Sequence, residues 1–287
     1  MADLIARLFT FTGTGALLHQ PFVQRALLAA AVLGLIAGLL APLIVSRGMA
    51  FAVHGTSELS FTGGVAALFL GGTAAVGLGA VGGALVAALV FGLLGLRRRE
   101  RDSVIGVVLA FGLGLGVLML AVYPGRSANK FGLLTGSIVS VDSTNLWLLA
   151  GCAAIVVATL LVWYRPLLFA STDPDVASAR GVPVRALSMV FAALIGLSTA
   201  VAVPAVGAIL VLAVLVTPGA AAARVSANPL VVTLLAILFA EVSLVGGTVA
   251  SLAPGLPISG YVTTLIFLCY LGCRVVGRYR PPARRLA

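Results

Sequence analysis

The chain has 287 residues, 61% hydrophobic and 9% charged, with 18 Lys and Arg against eight Asp and Glu and a formal net charge of +10. Soluble domains average about 25% charged residues, so composition excludes a soluble fold and predicts an all-α, polytopic membrane helix bundle. The basic balance does not indicate nucleic acid, because the arginines punctuate apolar runs instead of lining one face.

Residues 1–20 form an N-terminal segment without the layout of a cleavable signal peptide, so the first span is expected to be permanent. A crossing takes about 20 apolar residues, and within lipid only helices satisfy the backbone of such runs. Phe22–Ser46 is the first span, bounded by Arg47. Ser60–Leu96 is uncharged and long enough for two helices, divided near Gly71-Gly72. The basic run RRRER at 97–101 follows, then spans at Val104–Tyr123 and Leu146–Tyr164. Leu187–Ala223 is again uncharged and is divided by Pro204 and Pro218: its first half spans, whereas Val206–Val216 is too short for a straight crossing. Pro229–Ala250 and Gly260–Cys273 complete about eight spans plus one short membrane segment. Residues 274–287 form a basic tail, and no hydrophilic stretch is long enough for a second domain, so 1–287 reads as a single transmembrane domain.

With the C-terminal tail in the cytoplasm, all but Arg7, Arg25, Arg126 and Lys130 of the 18 basic residues fall inside, as the positive-inside rule requires. The N-terminus is then outside if the short segment counts as a crossing. The 34 glycines suit close helix packing in lipid. Cys269 and Cys273, four apart in the last span, and the isolated Cys152 read as small apolar filler in preference to a soft-metal pair or a disulfide.

Within an apolar stretch, HGTSELSFTGG places His54 and Glu58 at i and i+4, on one face of a helix. Imidazole and carboxylate together hold divalent transition metals, and an ionisable residue inside a membrane span is costly enough to suggest function. If the helix continues inward from Arg47, Glu58 lies about 16 Å along its axis, near the middle of a hydrocarbon core about 30 Å thick. Thr62 extends the same face by one turn and, with Glu241, is a candidate for lining or gating the pathway. A structural clamp between helices, or a gate that metal passes briefly, is the competing reading of the pair. Glu241, the other intramembrane acid in this reading, is expected to have a structural or gating role. His19 reads as interfacial and Asp142 as a helix cap in an outer loop.

Between two spans, ASTDPDVASARGVPVRAL (170–187) opens with Asp173, Pro174 and Asp175 and carries Gly181, the signature of a short capped cytoplasmic helix. Further on comes VGAILVLAVLVTPG, residues 206–219. Together these segments resemble the permease subunit of ABC importers for zinc, manganese and chelated iron. The D-P-x-x-A-x-x-x-G form is met by Asp173, Pro174, Ala177 and Gly181. The V-G-x-x-L-V-x-A-x-L-x-x-P form is met by Val206, Gly207, Leu210, Val211, Ala213, Leu215 and Pro218. The resemblance covers roughly residues 20–275.

The resemblance implies a fold related to vitamin B12-type permeases and a transporter of two permease copies in the cell membrane. Its other parts would be a cytoplasmic ABC ATPase dimer and an extracytoplasmic solute-binding protein that delivers the metal. Residues 171–183 would dock on the ATPase as the coupling helix. The sequence holds no G-x-x-x-x-G-K-[ST] phosphate loop, so the chain is not expected to be an enzyme or to keep a bound cofactor, and ATP would be used by the partner.

Similar proteins have Asp where His54 stands, His where Glu58 stands, and Gly at Gly63. The imidazole–carboxylate pair survives here in exchanged order, so the family's detailed geometry does not carry over. Zinc is slightly favoured as cargo because of the imidazole, manganese next. Ligation needs the neutral imidazole, so protonation of His54 is expected to oppose metal passage. The alternatives are an ion-driven secondary transporter using Glu58 and Glu241 as a proton relay, although no inverted repeat is visible, and an ABC permease for a metal chelate or another small nutrient.

Overall fold

The computed structural model describes residues 14–94, 98–124, 143–254 and 257–279, and among these every regular element is helical. In chain order they are α1 (Thr14–Leu18), α2 (Pro21–Ser46), α3 (Ala50–Gly71), a 3₁₀ turn (Gly72–Ala75), α4 (Val76–Leu94), α5 (Arg98–Val122) and α6 (Ser143–Thr172). Then follow α7 (Pro174–Ala179), α8 (Val184–Val206), α9 (Ala208–Val225), α10 (Pro229–Leu252) and α11 (Ile258–Tyr279).

Among the described residues, six helical stretches are long and apolar enough to cross a membrane: α2, Asp102–Val122 of α5, Leu146–Thr172 of α6, α8, α10 and α11. Val76–Phe91 of α4 and Leu210–Val225 of α9 are apolar but shorter. The 22-residue α3 is long enough, yet its polar run HGTSELSFT keeps it out of the apolar class.

The breaks between helices follow backbone chemistry. The helix does not continue inward from Arg47: Gly48 adopts φ +61, a left-handed conformation that side chains resist, and α3 starts afresh at Ala50. Glu58 therefore lies about 12 Å from the start of its own helix, by the rise per residue. The break at Gly71-Gly72 is as expected, with the Gly72 N–H closing on Leu68 O. Pro204 and Pro218, by contrast, both lie inside helices. Gly207 at φ +87 does the dividing, its N–H donating to Val203 O. The segment after it runs 18 residues to Val225, well beyond the expected Val216. At about 27 Å it falls just short of a straight crossing. The last helix passes Cys273 and carries the first part of the basic tail to Tyr279; residues 280–287, with Arg7, Arg126 and Lys130, lie outside the described residues.

The described chain forms two compact units, residues 14–45 with 213–279, and residues 46–212. In the second, α3 packs on α4, α5 and α8. A Cβ on Gly63 would strike Gly79 O, and one on Gly83 would strike Leu59 O, so the α3 and α4 backbones nearly touch. Ser60 Oγ donates to Ala80 O at 3.1 Å across this seam. Ala52, Ala87, Phe91 and Ile105 form an apolar cluster in the same unit. In the first unit, α2 packs on α10 with Gly38 against the Ile237 backbone, and α10 packs on α11 through Gly247 and Val262.

Candidate metal pathway and connecting helix

The polar residues of α3 divide by face. At about 3.6 residues per turn, Ser60 and Gly63 point to α4, Leu59 and Thr62 point to α5, and Gly55 meets Phe91 of α4 and Ile105 of α5. His54 and Glu58 lie on the side turned away from the α4 seam. Most hydroxyls on α3 are spent on backbone carbonyls: Thr56 donates to Ala52 O at 2.8 Å and Ser57 to His54 O at 2.8 Å. The Thr62 hydroxyl lies 2.9 Å from Glu58 O and 2.6 Å from Gly112 O, shared between its own helix and α5. Its visible work is an interhelical tie.

The two ionisable side chains are not spent in this way. Glu58 is 3% exposed, and its Oε2 has no hydrogen-bond partner among the described residues. His54 Nδ1 is likewise unpartnered and sits 3.8 Å from Glu58 Oε1, outside hydrogen-bond range. The imidazole is 31% exposed, so the pair has one buried and one accessible member. A buried polar group without a partner costs stability. The two groups stand at ion-pair distance, and a buried imidazole nitrogen and a buried carboxylate oxygen are left without a hydrogen-bond partner among the described residues. Among the described residues no three His, Cys, Asp or Glu side chains gather into a metal-sized cluster.

Glu241 lies in the other unit, on α10, and its carboxylate rests against Gly34 of α2: a Cβ there would come within 2.9 Å of Glu241 Cδ. It neighbours the tight Gly38–Ile237 contact, so it belongs to the α2–α10 seam. All three cysteines are free, His19 is exposed in the turn between α1 and α2, and Asp142 lies outside the described residues.

The loop at 170–187 folds as the sequence predicts. Asp173 accepts from Val176 N–H at 3.0 Å as the N-cap of α7, with Pro174 in the first turn. The helix ends in a Schellman motif, in which Gly181 N–H donates to Ser178 O and Val182 N–H to Ala177 O, with Gly181 at φ +80. Ala177 is fully buried, while Asp173, Asp175, Val176, Ser178 and Arg180 are exposed. The six-residue helix is thus pinned by one alanine and presents the rest outward.

Sequence reasoning took Arg47 as the end of a span and as one of the basic residues on the cytoplasmic side, and gave it no partner. In the structure its Nε donates to Ser171 Oγ at 2.7 Å, its Nη2 donates to Leu167 O at 3.1 Å, and its guanidinium stacks 4.5 Å from the Phe191 ring centroid. Burial pulls the guanidinium down to about 10, so it keeps its charge at neutral pH. An arginine ending an apolar run is a weak signal, because its partners lie more than a hundred residues away.

The model of the ABC 3 transport family matches residues 19–276. The manganese transport system membrane protein MntC of Halalkalibacterium halodurans is 32% identical over 259 residues, covering 88% of each chain. The manganese import system permease protein ScaB of Streptococcus parasanguinis is 31% identical over 201 residues, 70% of this chain and 71% of its own. Among solved structures, PsaBC from Streptococcus pneumoniae in complex with Fab shares the fold with a TM-score of 0.82 at 26% identity, covering 92% of this chain and 96% of that one.

Proposed function

The chain belongs to the ABC 3 transport family, and from that premise we propose that it is the permease subunit of an ATP-driven importer of a divalent transition metal, with manganese the favoured cargo. It is a multi-pass membrane subunit and not a catalytic enzyme. The observation that carries the reading is the family match across residues 19–276, with relatives named as a manganese transport system membrane protein and a manganese import system permease protein. The slight preference for zinc rested on one imidazole; a site of one nitrogen and one oxygen donor suits manganese as well, and the relatives tip the balance. Membership of an ABC family also favours ATP coupling over an ion-driven carrier.

In this reading the partners are a second permease copy, a cytoplasmic ATPase dimer and an extracytoplasmic binding protein. The polar α3 and the shorter α4 cross the membrane with the six apolar helices, and α9, the short membrane segment of a B12-type fold, carries the chain across once more, so that α7 and the C-terminus share a side. The C-terminus faces the cytoplasm, and so does α7, which docks on the ATPase through the surface around Asp173, Pro174 and Gly181. His54 and Glu58 contact the ion in passage. Two donors per subunit, completed by water or by the second copy, make a site weak enough to release its cargo. Thr62 ties α3 to α5, and Glu241 holds the α2–α10 seam within its own unit.

Reconstitution with the ATPase and binding protein in proteoliposomes tests the proposal. Manganese uptake is expected to require ATP and all three proteins. Full uptake by the permease without the ATPase would defeat it.

A further inference from the structure

Two residues, Gly48 and Met49, separate Arg47 from the first residue of the helix that carries His54 and Glu58. On its other side Arg47 grips the last turn of α6, where Ser171 and Leu167 lie just before the cap of α7. The junction between α6 and α7 is continuous: Asp173 N–H donates to Phe169 O, and Ala177 N–H donates back to Asp173 O. Ser171 Oγ also donates to Leu167 O, so the arginine and the serine converge on one carbonyl. The guanidinium is an appropriate group for this place. It sits at a helix C-terminus, where a cation is stabilised, and its planar face covers the fully buried Phe191 of α8. One side chain thereby joins three elements: the hinge before α3, the root of α7, and α8.

We propose that Arg47 is a positioning residue that transmits displacement of α7 to α3, so that movement of the cytoplasmic helix changes the setting of His54 and Glu58. The inference rests on the proposed function, in which α7 meets the ATPase. The hinge character of the link comes from the chain itself. Gly48 at φ +61 interrupts the helix between the arginine and α3.

The test uses the complete transporter in proteoliposomes, with manganese uptake and binding-protein-stimulated ATP hydrolysis measured on the same vesicles. Arg47→Gln removes the charge and the fork while keeping much of the length. Loss of two charge-assisted contacts is expected to lower manganese carried per ATP hydrolysed about tenfold, with hydrolysis and complex assembly close to wild type. Ser171→Ala and Phe191→Leu each remove one arm and are expected to uncouple partially. Combining either with Arg47→Gln should add little, because the three act as one network. If Arg47→Gln does not assemble, Arg47→Lys and Ser171→Ala carry the test. Uptake and hydrolysis falling in proportion would show mere structural support and overturn the proposal, as would an unchanged ratio. Failure of the wild-type transporter to carry manganese would count against the functional reading instead, and would be seen before any variant is compared.

Discussion

Glu58 presents a buried carboxylate whose second oxygen has no partner, close to an imidazole that does not reach it. A structural clamp and a transport site make opposite demands on such a group. If the carboxylate served stability, its removal would cost stability; if it is held unpaired for a passing cation, it is a burden on the fold. Glu58→Gln keeps the size and discards the charge. We expect manganese uptake to fall at least about tenfold, as loss of a metal ligand or its support does, while thermal stability of the purified permease stays level or rises. A fall in melting temperature with uptake intact would return the pair to a structural role. The pair was legible in the sequence because i, i+4 spacing of an acid and an imidazole in an apolar stretch has few uses. Its 3.8 Å separation was not, since side-chain rotamers set it, nor was the sharing of the Thr62 hydroxyl with Gly112, which depends on where α5 lies.

At the scale of elements, composition made the helices readable and left their ends obscure. The break at Gly71-Gly72 was legible because paired glycines interrupt an otherwise unbroken run. Proline misled at 204 and 218: one missing N–H inside a long helix is tolerated where neighbouring helices support it, and a single glycine at 207 decided the boundary. The short helix α7 was readable down to its caps, because capping is local chemistry written in adjacent residues. It also sets up a test of docking. Asp173→Ala removes the N-cap and should cost α7 about 1 kcal/mol, weakening but not abolishing association with the ATPase. Ala177→Pro removes the N–H that donates to Asp173 O and should abolish association while leaving membrane insertion intact, as read by co-purification and membrane fractionation. Normal complex formation by the proline variant would remove α7 from the interface. The α3–α4 seam makes a separate demand: Gly63→Leu would drive a side chain into the Gly79 carbonyl. We expect loss of folded permease on size exclusion, whereas Gly82→Ala, which meets nothing nearby, should be tolerated.

For the whole molecule, the charge rule placed Arg47 and the 170–187 loop on the same side of the membrane before any contact between them was visible, and the Arg47–Ser171 bond agrees with that. Choice of metal is harder to read, because it is shared between the permease and the protein that delivers the ion. Affinity order alone favours zinc over manganese at any nitrogen and oxygen site. A pathway that releases manganese readily should therefore hold zinc longer, and zinc should slow manganese uptake. The imidazole is the donor that most favours zinc, and oxygen donors favour manganese. His54→Asp converts the pair to two carboxylates, so we expect it to retain manganese uptake and to resist zinc, with the inhibiting zinc concentration raised about tenfold on loss of that donor. Wild type and variant would be assayed with the same binding protein and ATPase, so a difference in zinc sensitivity can arise only in the permease. Equal inhibition of the two would assign selection to the delivering protein and leave His54 without a part in it.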